Sequence, residues 1–198
     1  MRLHKTHALL GLTALAAMAS LSAGAQSSRA PSASSSQSSS AQPAEVSKFL
    51  QEAIRGNTAE VKMGELAKER AQSKDVRDYG QMLIDDHSKG NKKATEIARR
   101  MNISAPTEES AEQKQERDAM AKLSGSEFDT TFLSHMVQDH QEDIAKYTAQ
   151  AQNGDSSKIT DFANDSLPTL KEHLSKAQSI ESKLSDRSSS TERGSSGK

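Results

Sequence analysis

The chain has 198 residues, 26 Lys and Arg against 27 Asp and Glu for a formal charge of −1, and no cysteine. Cysteine's absence removes disulfides, thiolate ligands, a cysteine nucleophile and a lipid-modified cysteine. The balanced charge, with no block of five like charges, argues against nucleic acid or an anionic membrane surface as an obligate partner.

Residues 1–25 read as a signal peptide. Arg2, His4 and Lys5 precede an apolar run from Ala8 to Leu21, and Ala23-Gly24-Ala25 offers a small-residue cleavage site. That run is too short for the roughly 20 apolar residues of a transmembrane helix, so the expected product is a soluble, exported, periplasmic protein without a transmembrane segment. Residues 26–43 are rich in Ser and Ala and residues 186–198 in Ser, Gly and charge; both are expected to be disordered, as linker and tail. Residues 44–185 suffice for one helical domain.

The first predicted helix runs from about Glu45 to Ser73, with Val46, Phe49, Ala53, Glu60, Met63 and Ala67 on one stripe, and Gly56 and Gly64 allowing close helix approach. The second, from Asp75 to about Met101, turns Val76, Tyr79, Leu83, His87, Ala94 and Ala98 inward. The connecting turn is so short that the two pack antiparallel. Ser104-Ala105-Pro106-Thr107 then looks like the cap of a short helix over Glu108 to Leu123. The next long helix spans about Ser126 to Gln152, its stripe formed by Leu133, Met136, Val137, His140, Ile144 and Tyr147. The last runs from about Ser156 to Leu184 with Ile159, Phe162, Leu170, His173, Ala177, Ile180 and Leu184 inward, and Pro168 is expected to kink it.

About 24 residues separate the second long helix from the third. With its short helix this connection reaches about 50 Å, against about 40 Å for the length of the bundle. A crossover returning along the bundle is therefore feasible, and so is the simple up-and-down order.

One polar group interrupts each apolar stripe: Glu60, His87, His140 and His173. Glu60 follows Phe49, and His173 follows Phe162, by eleven positions, which at about 100° per residue returns within about 20° of the same direction. Glu60 lies 13 residues before Ser73, His87 12 after Asp75, His140 14 after Ser126 and His173 11 before Leu184. That spread of three residues is about 4.5 Å of rise, so a single layer can hold all four.

The segment Leu123-Ser-Gly-Ser-Glu-Phe-Asp-Thr-Thr-Phe-Leu-Ser-His-Met-Val-Gln-Asp-His140, with Met82-Leu-Ile-Asp-Asp-His87 and Leu167-Pro-Thr-Leu-Lys-Glu-His173, resembles the exported bacterial family catalogued as domain of unknown function 4142. The resemblance covers roughly residues 45 to 184. It implies an all-α, ferritin-like four-helix bundle with a short extra helix in the long connection, and a periplasmic or outer-membrane-associated setting. It implies no established activity. Metal-loading ferritin-like proteins use Glu-x-x-His pairs. Here Ile84, Val137 and Leu170 stand three before the histidines, which argues against a di-iron centre.

Two readings of the layer follow. In one, Glu60, His87, His140 and His173 bind a divalent metal (zinc, iron, copper or nickel), with Asp86 and Asp139 as further ligands or acceptors, in a protein of metal handling or envelope stress protection. In the other, the same groups satisfy one another and only specify helix packing in a structural or interaction module, with an envelope protein or a second copy of the chain as partner. No catalytic or cofactor-binding residue is assigned, and phosphate loops, nucleophile elbows and His-Glu-x-x-His helices are absent from the sequence. His135, Asp139 and Asp143 read as a solvated acidic edge, and Met63, Met82 and Met136 as core filling.

Overall fold

A computed structural model describes residues 41–154 and 156–195, with side chains over 44–154 and 156–187. The expected signal peptide, the linker up to residue 40 and residues 196–198 lie outside the described residues. Five helices follow in order: α1 Ala41–Arg70, α2 Lys74–Arg100, α3 Ala111–Met120, α4 Gly125–Asn153 and α5 Ser157–Ser195. None of the described helices is long and apolar enough to cross a membrane.

Local chemistry sets the boundaries. α2 stops at a left-handed Asn102 (φ 55°), where Ile103 N–H donates to Ala98 O at 2.9 Å and Asn102 N–H to Arg99 O at 3.2 Å. This is the paired closure that satisfies a helix's last carbonyls. α3 begins three residues later than expected. Its cap is Ser110, whose Oγ accepts from Gln113 N–H at 3.1 Å while Gln113 Oε1 accepts from Ser110 N–H at 2.9 Å. A reciprocal box needs Glu or Gln three places on, and Ser104 has Thr107 there. α5 is assigned as one helix through Pro168 and continues beyond Leu184 to Ser195, through residues expected to form a tail. No proline stands in that stretch to interrupt it.

α1 packs chiefly on α2 and α4 on α5, while α2 meets α5 and α1 meets α4 across the two hairpins. Gly64 and Gly80 let α1 and α2 touch, since a Cβ at Gly64 would fall 2.5 Å from Gly80 O. Gly56, by contrast, faces open space. The topology is decided at one end of the bundle. The buried Asp129 carboxylate, in the first turn and a half of α4, accepts from Gln72 N–H at 3.1 Å and Ser73 N–H at 2.7 Å, in the α1–α2 turn. α4 thus starts where α2 starts, so the two run parallel and the connection carrying α3 crosses back along the bundle. The fold is an all-α, ferritin-like four-helix bundle with a short extra helix in that connection.

Every residue of the four predicted stripes is buried except Val137, Ile144 and Leu184, which are half-buried. Two apolar clusters result. One gathers Met63, Tyr79, Leu83, Phe132, Met136 and Ile180; the other gathers Phe49, Leu50, Ile54, Tyr147, Phe162 and Leu170. On each helix the polar residue falls between the positions belonging to the two clusters, so a buried polar slab divides the core.

Candidate metal centre

Glu60 on α1, His87 on α2, His140 on α4 and His173 on α5 fill that slab, none more than 5% exposed. Glu60 Oε2 lies 2.8 Å from His87 Nε2 and 3.5 Å from His140 Nε2. His173 Nδ1 lies 3.2 Å from both of those nitrogens. One ligand atom from each histidine falls within 4.8 Å of the other two.

The outward ring nitrogens fix which inward atoms carry lone pairs. Asn57 Nδ2 donates to Ala53 O at 2.7 Å, so its Oδ1 faces His87 Nδ1, 2.9 Å away, and must accept from it. Main-chain Met136 O, 2.9 Å from His140 Nδ1, can only accept. Asp86 Oδ2, 3.2 Å from His173 Nε2, likewise accepts. Each neutral imidazole is therefore protonated on its outer nitrogen and turns a bare lone pair inward. Glu60 Oε2, despite its close neighbours, accepts no well-directed hydrogen bond. With all three imidazoles neutral, four electron-rich atoms face one another, and either a proton on His87 Nε2 shared with Glu60 or a cation at their centre removes the repulsion. Outward N–H bonds to carbonyl, amide and carboxylate oxygens are the usual means of orienting metal-ligating histidines.

The spacing suits a metal. Ligand atoms on a tetrahedral ion with bonds of about 2.0–2.1 Å lie about 3.3 Å apart; four of the six separations here run from 2.8 to 3.5 Å, and the three histidine atoms lie within 4.8 Å of one another, a spread that small shifts on binding would close. Burial alone would push the Glu60 carboxyl up, but His140, His87 and His173 reverse this and hold it at about 2. Burial and the charges of His87 and His140 lower His173 to about 4, leaving it neutral and available as a donor. His87 goes the other way: burial opposes its charge, and Glu60 more than compensates, raising it above the ordinary histidine value. Without metal, Glu60 thus favours a proton on His87, shared across their 2.8 Å contact.

Of the two outer carboxylates, Asp86 reaches the centre through His173 and also accepts from Lys89 at 2.9 Å. Asp139 stands apart, in a cleft lined also by Glu52, Ser110, Asp143 and Tyr147. There burial, then Glu60 and Asp143, push it up to about 8. The edge bearing His135, Asp139 and Asp143 is half-buried rather than fully solvated, with α3 packed on α1 and α4 beside the cleft that Asp139 and Asp143 line. Met63 and Met136 are core residues, and Met82 packs against the same cluster. Asn57 and the Met136 carbonyl escape sequence reasoning. Asn57 carries a signal, three residues before Glu60 on the same face, whereas a main-chain carbonyl carries none.

The family model for a domain of unknown function (DUF4142) matches residues 30–180. The chain belongs to the DUF4142 family. Among solved structures, this DUF4142 protein is similar to a DUF305 fragment from Deinococcus radiodurans, with 14% identity and a TM-score of 0.62 over 70% of this chain and 96% of that one. At that identity the likeness concerns the fold. No curated protein sequence matches.

Proposed function

We propose that this DUF4142 protein is an exported, periplasmic bundle that binds one divalent metal ion, zinc first, through Glu60, His87, His140 and His173, in metal handling or envelope stress protection. The observation carrying the reading is that all three imidazoles have their outward N–H committed, to Asn57, Met136 O and Asp86, leaving inward lone pairs around a buried carboxylate. Three imidazoles and one carboxylate suit a borderline cation. Asp86 acts as acceptor behind His173, whereas Asp139, pushed up to about 8, stands apart and is mostly uncharged at neutral pH. The basic start and apolar run of residues 1–25 support export.

Isothermal titration of metal-free protein with zinc, copper, nickel and iron(II) tests the reading, with saturable one-to-one binding expected for at least zinc. No saturable binding to any of the four would leave the second reading, a packing network held by the His87–Glu60 proton. In that case a Glu60→Leu, His87→Leu, His140→Leu variant, which replaces the buried carboxylate together with its partners, should be no less stable than the parent, because apolar replacement of a whole buried polar cluster is often neutral or favourable. Cell fractionation and N-terminal sequencing of the mature protein test export.

A further inference from the structure

The donor atoms lie in the core, so an ion must reach them along some path, and the seam where α2 meets α5 offers one. A cleft of about 190 Å³ opens there, lined by Asp86, His87, Gly90, Lys93, Asp165 and Thr169 among others. His87, a proposed donor that is 5% exposed, is among its lining residues. The larger cleft of about 430 Å³ under α3 reaches Asp139 but none of the four donors.

Two carboxylates mark the way inward. Asp165 is at the rim, its side chain 63% exposed, and Asp86 is deeper at 28%. Each is held by a lysine: Lys93 reaches across the seam from α2 to Asp165 on α5 at 2.5 Å, and Lys89 pairs with Asp86 at 2.9 Å. Asp86 in turn touches His173 Nε2 at 3.2 Å. α2 and α5 belong to different hairpins, so this seam can widen without breaking the tight α1–α2 or α4–α5 contacts.

We infer that divalent cations reach the buried centre through the α2–α5 cleft, with the Lys93–Asp165 ion pair as its gate and Asp86 as the inner relay. This rests on the metal-binding reading above. The lysines have two effects at the mouth. They offset the carboxylates' attraction for an incoming cation, which slows its entry, and Lys93 ties the two helices together over the opening.

Stopped-flow measurement of zinc uptake from a chromogenic chelator by the full chain tests the path. Thr169→Trp fills the cleft and should slow uptake at least tenfold while leaving the stoichiometry at equilibrium unchanged. Lys93→Gln unties the gate and removes a positive charge, and should speed uptake severalfold. Gly56→Trp, which projects into the other cleft where a Cβ meets nothing within 4 Å, should keep the parent rate. If the parent binds zinc but Lys93→Gln and Thr169→Trp both keep its rate, or Gly56→Trp is the slow variant, the path is wrong and the centre stands. If Thr169→Trp does not fold, Lys93→Gln decides alone. A parent that takes up no zinc overturns the metal reading and the path with it.

Discussion

Replacing Glu60 by glutamine keeps the shape of the side chain and removes its charge, which makes it a direct probe of the centre's electrostatics. Without metal, the Glu60 carboxyl is held at about 2 against an ordinary value of 4.5. The difference, 4.5 − 2, is about 2.5 units, and at about 1.36 kcal/mol per unit it corresponds to about 3 kcal/mol of preference for the ionised form in the folded state. Because the folded value is depressed, that contribution is fully present above the unfolded value of 4.5 and disappears as pH falls through about 2. Glutamine mimics the neutral carboxyl, so metal-free Glu60→Gln should lose about 3 kcal/mol at pH 7, roughly 6–12 °C in Tm for a chain of this size. Urea unfolding of both proteins in the presence of a chelator, at pH 7 and at successive points between pH 4.5 and 2, measures the gap and its closure. A variant as stable as the parent at pH 7, or a gap that stays constant down to pH 2, would refute the reasoning.

Asp86→Ala removes the acceptor that orients His173, and zinc affinity by titration calorimetry should fall about 10–100-fold with the stoichiometry kept. Zinc binding should release a proton at pH values where His87, raised above the ordinary histidine value, is charged, while His173 is already neutral and releases none. Calorimetry in buffers of different ionisation enthalpy counts that proton, affinity should weaken as pH falls, and zero release would contradict the His87–Glu60 assignment. In the metal-free protein the His87 contribution to stability has the opposite sense to that of Glu60: it is present below the unfolded histidine value of 6.5 and lost as pH rises through the folded one. Gly64→Ala forces a Cβ to within 2.5 Å of Gly80 O and should cost about 1–3 kcal/mol in a denaturant melt, with no effect on zinc stoichiometry.

The helical stripes and the shared depth of Glu60, His87, His140 and His173 were legible because helix periodicity ties sequence spacing directly to direction and height. The crossover was legible only as a feasible length. What selects it is Asp129 binding Gln72 and Ser73, a contact spanning 56 and 57 positions that no local pattern announces. The same limit explains the edge around Asp139 and Asp143. Charged residues on a helix face read as solvated, and only the placement of α3 shows that a neighbour covers them. Asn57 is illegible for another reason: its value lies in a partnership fixed from two sides, by the Ala53 carbonyl and by Gly90, where a Cβ would sit 2.9 Å from Asn57 Oδ1.

Glu60 and His87 come from the α1–α2 hairpin, and His140 and His173 from α4–α5. Neither half carries more than two of the four donors, so neither can be a binding unit alone. Severing the chain in the crossing connection would turn a unimolecular site into the product of two fragments meeting. The ion would then act as a rivet, and its concentration would set how firmly the halves hold together.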